Sequence, residues 1–164
     1  MSPNAALALV EDAPATHLEP VASELLGELA VPAESIFTFP VGLFGFPECR
    51  RFALVPTGRA GMFWLQSLEH RALAFLLVDP FPHFAGYTVE LGAGDRVELA
   101  VRDAADVAVL SIVTLPHRRD EPPTANLQGP IALDVRGRLG RQLALGENGW
   151  GVRRPLDLHD GANP

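Results

Sequence analysis

Residues Ile131–Leu145 read IALDVRGRLGRQLAL, and the fold class turns on this stretch. Ile131, Leu133 and Val135 alternate with Ala132, Asp134 and Arg136, the period of two expected of a strand with one face inward. Leu139, Arg141, Leu143 and Leu145 carry the alternation back. The stretch therefore reads as a β-hairpin turning at Gly137–Gly140, with Asp134 on its outer face.

Upstream, Val107–Leu115 and Ala72–Val78 are almost continuously apolar and have the length of strands buried on both faces; Asp79–Pro80 stops the second. Short strands are also expected at Ile36–Phe39, Arg51–Val55, Phe63–Leu68 and Tyr87–Leu91, with Pro56–Gly61 as a turn. Ser23–Val31 stays ambiguous: Ser23 suits a helix cap, yet Leu25, Gly27, Leu29 and Val31 alternate as in a strand. Val41–Pro47 (VGLFGFP) predicts a tight, aromatic-rich loop. Asp95 and Glu98 stand in capping-box spacing and predict one helical turn. Pro116–Pro123 is a charged loop. The pattern is all-β, an antiparallel sandwich or small barrel with at most one or two short helical turns, and no strand–long helix–strand unit is visible.

The 164 residues suit a single domain, and 48% hydrophobic residues can fill a core. Residues 1–22, rich in Ala and Pro, are expected to be a flexible acidic tail. The domain is expected over 23–158, with 159–164 frayed. No secretory signal and no apolar run of membrane-spanning length is visible, so a soluble cytoplasmic protein is expected. Cys49 is the one cysteine and reads as a small apolar side chain.

Charge is unevenly placed. Residues 1–49 hold Glu11, Asp12, Glu19, Glu24, Glu28, Glu34 and Glu48 with no basic residue, whereas 50–164 are neutral and hold every arginine. The first third would repel nucleic-acid phosphates. A basic cluster (Arg136, Arg138 and Arg141, with Arg153 and Arg154 nearby) leaves open an RNA-binding reading through the hairpin.

A search for chemistry returns little. His17, His70, His83, His117 and His159 have no ligand spacing, so no metal site and no cofactor are expected. There is no nucleophile elbow around Ser67 and no phosphate loop at Gly92–Asp95. Asp79 and Asp134 leave a carboxylate-dependent enzyme as a remote alternative; each reads more simply as a turn or surface residue.

Specific strings go further than composition. GELAVPAESIFTFPVGLFGF (Gly27–Phe46) resembles the opening of the flagellar assembly factor FliW family. ECRRF (Glu48–Phe52), FWLQS (Phe63–Ser67), FLLVDP (Phe75–Pro80) and SIVTLP followed by TANLQGPIALDVRGRLGRQ (Ser111–Gln142) follow in that family's order. The likeness covers roughly residues 23–157. Phe44 stands where the family usually has proline, Pro47 where it has glutamate, and Trp150 where it has tyrosine.

The resemblance implies a small antiparallel β-barrel-like domain without catalytic activity. It implies two protein partners that compete: flagellin, near its C-terminal helical region, and the carbon-storage regulator CsrA, whose repression of flagellin messenger RNA is relieved. No direct nucleic-acid or membrane contact is implied, and the free protein is expected to be monomeric. An apolar groove for an amphipathic helix is expected from Phe39, Gly42, Phe44 and Phe46 of the loop region and from Phe63, Leu65, Gln66 and Ser67 of the adjoining strand. Thr124 and Asn126 are expected as a pairing edge or docking strip.

Overall fold

A computed structural model describes residues 4–11 and 17–158. After helix α1 (Leu7–Glu11), strands β1 (Leu18–Ser23) and β2 (Gly27–Pro32) form a separate hairpin. Then come β3 (Ile36–Thr38), β4 (Arg51–Pro56), β5 (Met62–Ser67), β6 (Ala74–Val78), helix α2 (Ala93–Glu98), β7 (Val107–Thr114), β8 (Thr124–Ala125), β9 (Ile131–Asp134), β10 (Leu139–Gln142) and β11 (Arg154–Pro155).

Strands β3 to β7 pair as successive antiparallel neighbours; β10 joins β3 in parallel, β9 pairs with β10, and β9 pairs back onto β7. That last pairing closes the sheet into a seven-stranded barrel, which removes its free edges. The short strand β8 lies beside β7, and β11 beside β8.

The apolar runs are explained by burial on both faces. Phe52, Leu54, Phe63, Leu65, Leu77, Ala108, Leu110, Ile131 and Leu133 share the barrel interior. Their sequence neighbours point outward but are covered as well. Ala53 lies under the β1–β2 hairpin with Val21, Val31 and Ile36. Leu76, Val78 and Val113 lie under Phe84 and Tyr87, and Val107, Ala132 and Leu143 under Leu99. Each large side chain so buried contributes about 1.5–3 kcal/mol of transfer free energy.

Several expectations need correction. The chain before residue 23 is not all tail: Asn4, Ala6 and Leu7 are buried, and β1 begins at Leu18. Residues 1–3, 12–16 and 159–164, including the expected C-terminal fray, lie outside the described residues. Ser23 caps no helix; its hydroxyl accepts the Leu26 amide at 2.9 Å and tightens the β1–β2 turn. Tyr87–Leu91 alternates as a strand does, with Tyr87 buried and Val89 and Leu91 half-buried, yet makes no ladder. Alternation there reports the side facing the barrel wall, not pairing. Helix α2 exists, but Gly92 precedes it and no side chain caps it; Asp95 instead meets Arg141.

The deciding hairpin is real, with a different turn and register. The turn is Val135–Arg138, and Leu139 already opposes Asp134. Leu133 faces Gly140 and Ile131 faces Gln142, so Leu139 and Leu143 occupy the opposite face, against the outer cluster. A shift of one residue exchanges the faces of a strand. Asp134 does face outward, on the side of Ala132 and Leu139, but that side is covered here: it is only 5% exposed, and its carboxylate accepts the Arg136 amide at 3.3 Å. Gly140 is required because a Cβ there would overlap the Phe39 ring.

Candidate partner-binding surface

The loop from Pro40 to Arg50 joins β3 to β4 at the barrel rim. Its glycines set its shape. Gly42 has φ +68°, and a Cβ there would lie 2.5 Å from the Phe46 carbonyl oxygen. The Gly42 amide donates to the Phe39 carbonyl at 2.9 Å, and Leu43 and Phe46 exchange backbone hydrogen bonds at 3.2 and 2.8 Å. Gln142 of β10 ties the loop down: its Oε1 accepts the Phe44 amide at 3.0 Å while its Nε2 donates to the Gly129 carbonyl at 2.9 Å.

This frame sorts the aromatics. Phe39 is fully buried, edge-on to Phe52 at 5.1 Å between centroids. Phe46 is half-buried against Phe75 at 5.6 Å. Phe44 points outward, 59% exposed, beside Val41 at 54%. Beneath them a groove of about 410 Å³ runs along Val41–Gly45 and Pro47 to Asp95, Arg141, Gln142 and Ala144. Arg141 and Asp95 form an ion pair at 2.8 Å in its wall. Val97 of α2, next but one to Asp95, is also strongly exposed. An apolar strip rimmed by a paired charge is the kind of surface that meets another protein.

Most of the expected site residues are elsewhere. Phe39, Phe63, Leu65, Gln66 and Ser67 are buried and offer no surface to a partner, a correction to the expected groove. Gln66 donates its amide to the Ser67 and Arg71 carbonyls at 3.0 and 3.2 Å, fastening the β5–β6 turn. The Ser67 hydroxyl accepts the His70 amide at 3.0 Å in the same turn. Gly42 is buried and shapes the loop. Thr124 pairs in β8, with Asn126 just after it; both are half-buried. The Asn126 carboxamide accepts the Gly129 amide at 2.9 Å, so this strip stabilises its own turn. Val41 was legible in the VGLFGFP string; Asp95, Arg141 and Gln142 join the site only through the barrel's closure.

The remaining chemistry is accounted for locally. The Asp79 carboxylate accepts the Phe81 amide at 3.2 Å and the Asn4 side-chain amide at 2.8 Å, and burial pushes its pKa up against those bonds. Burial likewise raises the Cys49 thiol. Among the described residues, Glu48, Cys49 and His70 bring ligand-type atoms within 4.8 Å of one another, a convergence invisible in the sequence spacing. A thiol pushed toward its protonated form is a poor metal ligand. The hairpin arginines are engaged: Arg136 with Asp106 at 2.9 Å, Arg138 with the Ala33 carbonyl at 3.1 Å, Arg141 with Asp95. Among the described residues, no helix is long and apolar enough to cross a membrane.

The described residues thus define a small closed β-barrel protein with an apolar loop exposed at its rim. The profile of the FliW protein family matches residues 20–156, and the chain belongs to that family of flagellar assembly factors. It is similar to the flagellar assembly factor FliW of Natranaerobius thermophilus, 33% identical over 137 residues covering 83% of this chain and 91% of that one. It is 38% identical to that of Moorella thermoacetica, over 83% and 87%. A crystal structure of the flagellar assembly factor FliW superposes with a TM-score of 0.76 at 31% identity, covering 84% of this chain and 96% of that one.

Proposed function

We propose that this protein works in the cytoplasm as a flagellin chaperone and as an antagonist of the translational regulator CsrA, acting by occupancy rather than catalysis. The observation that carries the reading is the rim loop of a flagellar assembly factor, held rigid by Gln142 while Phe44 and Val41 are left exposed. A pre-shaped apolar strip suits the stripe of an amphipathic flagellin helix, because little ordering entropy is lost on binding.

Toward CsrA the relevant feature is charge. The N-terminal third carries acids alone, and an acidic protein docked beside an RNA-binding surface weakens phosphate attraction without covering every contact. Competition between the two partners would couple flagellin level to flagellin synthesis. The free protein is proposed to be a monomer without direct nucleic-acid or membrane contact. Size-exclusion chromatography with the same cell's flagellin, then with its CsrA, is the test. Co-elution with each at micromolar concentration, and loss of one complex when the other partner is added, is expected; co-elution with neither overturns the reading.

A further inference from the structure

The groove beneath Phe44 is short. Spread over the cross-section of an α-helix, about 10 Å across with its side chains, its volume of about 410 Å³ amounts to roughly one helical turn. A helix end therefore fits it better than a helix body, and the polar groups of the wall decide which end. Gln142 is already committed, to the Phe44 amide and the Gly129 carbonyl. That leaves Arg141 and Asp95, whose side chains are 29% and 25% exposed.

Arg141 shares the outward face of β10 with Leu139 and reaches Asp95 of α2. Its Nε donates to Asp95 Oδ1 at 2.8 Å. Among the described residues nothing accepts from its two terminal nitrogens, so their N–H groups are open to a ligand in the groove they line. Charge decides what they accept. Asp95 cancels Arg141, and the pair is neutral. A carboxylate or phosphate placed on it would leave one uncompensated negative charge in a half-buried wall, which opposes the added hydrogen bonds. Backbone carbonyls bring acceptor oxygens and no net charge. The last carbonyls of an α-helix have no partner within the helix, and the macrodipole puts partial negative charge on them. The planar fork of an arginine suits such a row. A helix N-terminus offers only N–H donors and partial positive charge, which the same nitrogens repel.

We infer that the rim groove takes the C-terminal turn of an amphipathic helix, with its apolar stripe against Val41 and Phe44 and its last carbonyls on Arg141. Arg141 is then the residue that fixes the direction in which the partner helix docks. The inference rests on the reading of the protein as a binder of a helical partner, and adds the helix end that is recognised. Val97 of α2, strongly exposed two positions after Asp95, offers further apolar contact beside the ion pair.

The test uses the full chain as wild type, Arg141→Gln and Arg141→Lys, each shown to be folded by circular dichroism and thermal unfolding. The probes are fluorescent, alanine-rich peptides of about 18 residues, long enough to be helical alone. One carries a leucine stripe in its last turns and a second, of the same composition, in its first turns; both are acetylated and amidated. A third repeats the first with a free carboxylate at its end. By anisotropy, the wild-type chain is expected to bind the first at least tenfold more tightly than the second. Arg141→Gln should shrink that preference below threefold, and Arg141→Lys, charged but without the fork, should fall between; if Arg141→Gln does not fold, Arg141→Lys decides. Equal binding of the first two peptides by the wild type, a preference that survives substitution of Arg141, or no binding of the first at millimolar concentration overturns the inference. So does a tenfold gain for the free carboxylate, which would make the wall an anion site. Flagellin titrated against the wild type separates the two readings. If the peptides are told apart as expected while flagellin does not bind, the helix-end site stands and the proposed function falls; if flagellin binds and the peptides are not told apart, the reverse holds.

Discussion

Phe39 and Phe44 are five positions apart in one glycine-punctuated stretch, yet one is fully buried and the other 59% exposed. Phe39 directly follows β3 and packs over Gly140, where no side chain competes for the space. Phe44 follows the turn that Gly42 permits, and its backbone is pinned from outside by Gln142. The same residue type thus serves cohesion on one side of the turn and, on the proposed reading, recognition on the other. The distinction lies in the backbone, since the local apolar pattern is alike at both positions.

The largest effect is expected in the interior. Phe63→Ala is expected to cost about 3–5 kcal/mol, because Phe63 lies within the interior cluster, bounded by Leu54, Leu65 and Leu77, and cannot be replaced by collapse. Urea unfolding measures it; a loss under about 1 kcal/mol would mean that the barrel is not packed as described. Next comes Tyr87, the one tyrosine of the chain. Burial pushes its pKa up to about 12, and its hydroxyl donates to the Leu127 carbonyl at 2.8 Å. A raised folded pKa favours the protonated form in the native state. The associated stability is therefore complete below about pH 10, the unfolded value, and lost toward pH 12, on the order of 2 kcal/mol. Phenolate absorbance should titrate about two units higher in native than in denatured protein, and Tyr87→Phe should remove that alkaline loss.

At the exposed Phe44 the expectation is reversed. Phe44→Ala is expected to leave stability within about 0.5 kcal/mol, since its side chain is exposed. It should weaken flagellin binding tenfold or more, about 1.4 kcal/mol, measured by calorimetry. A destabilising Phe44→Ala with intact binding would assign the rim loop to cohesion and move recognition elsewhere.

How much of this was legible beforehand follows from which physical quantity a pattern encodes. Period-two alternation and unbroken apolar runs encode burial, so the strands around Phe52, Leu65, Leu77 and Leu110 were readable, and with the family strings so was the barrel. Pairing is not encoded locally. Tyr87–Leu91 alternates without a ladder, and Leu139 and Leu143 alternate onto the face opposite the one that Ile131 and Leu133 use. Asp134 was misread because its strand is covered on both faces, a property of the outer clusters rather than of its neighbours. At the candidate site the loop was visible as VGLFGFP, but the sequence could not divide Phe39 from Phe44. Asp95, Arg141 and Gln142 arrive from residues 50 to 100 positions away. The N-terminal segment was read as tail because Asn4 owes its place to hydrogen bonds with the Val109 amide and carbonyl, which no local composition announces.

The smallest expected effect concerns the arginine hairpin, which separates a surface held by its own partners from one free to take phosphate. Arg136 is largely exposed and bonded to Asp106 at 2.9 Å. An exposed pair of this kind contributes about 0.2–1 kcal/mol, less as salt is raised. Arg136→Ala should therefore lower stability by a few tenths of a kcal/mol, more at low salt than at high, in urea unfolding. Arg138 and Arg141 are held likewise, by the Ala33 carbonyl and Asp95. For the hairpin to grip RNA, these contacts would have to be exchanged for phosphate, and affinity would then fall steeply with salt. Binding of a single-stranded RNA is expected to be too weak to register that slope. A tight complex with a steep salt dependence, abolished by Arg136→Ala and Arg138→Ala together, would instead make the hairpin the recognition surface and the Phe44 rim a bystander.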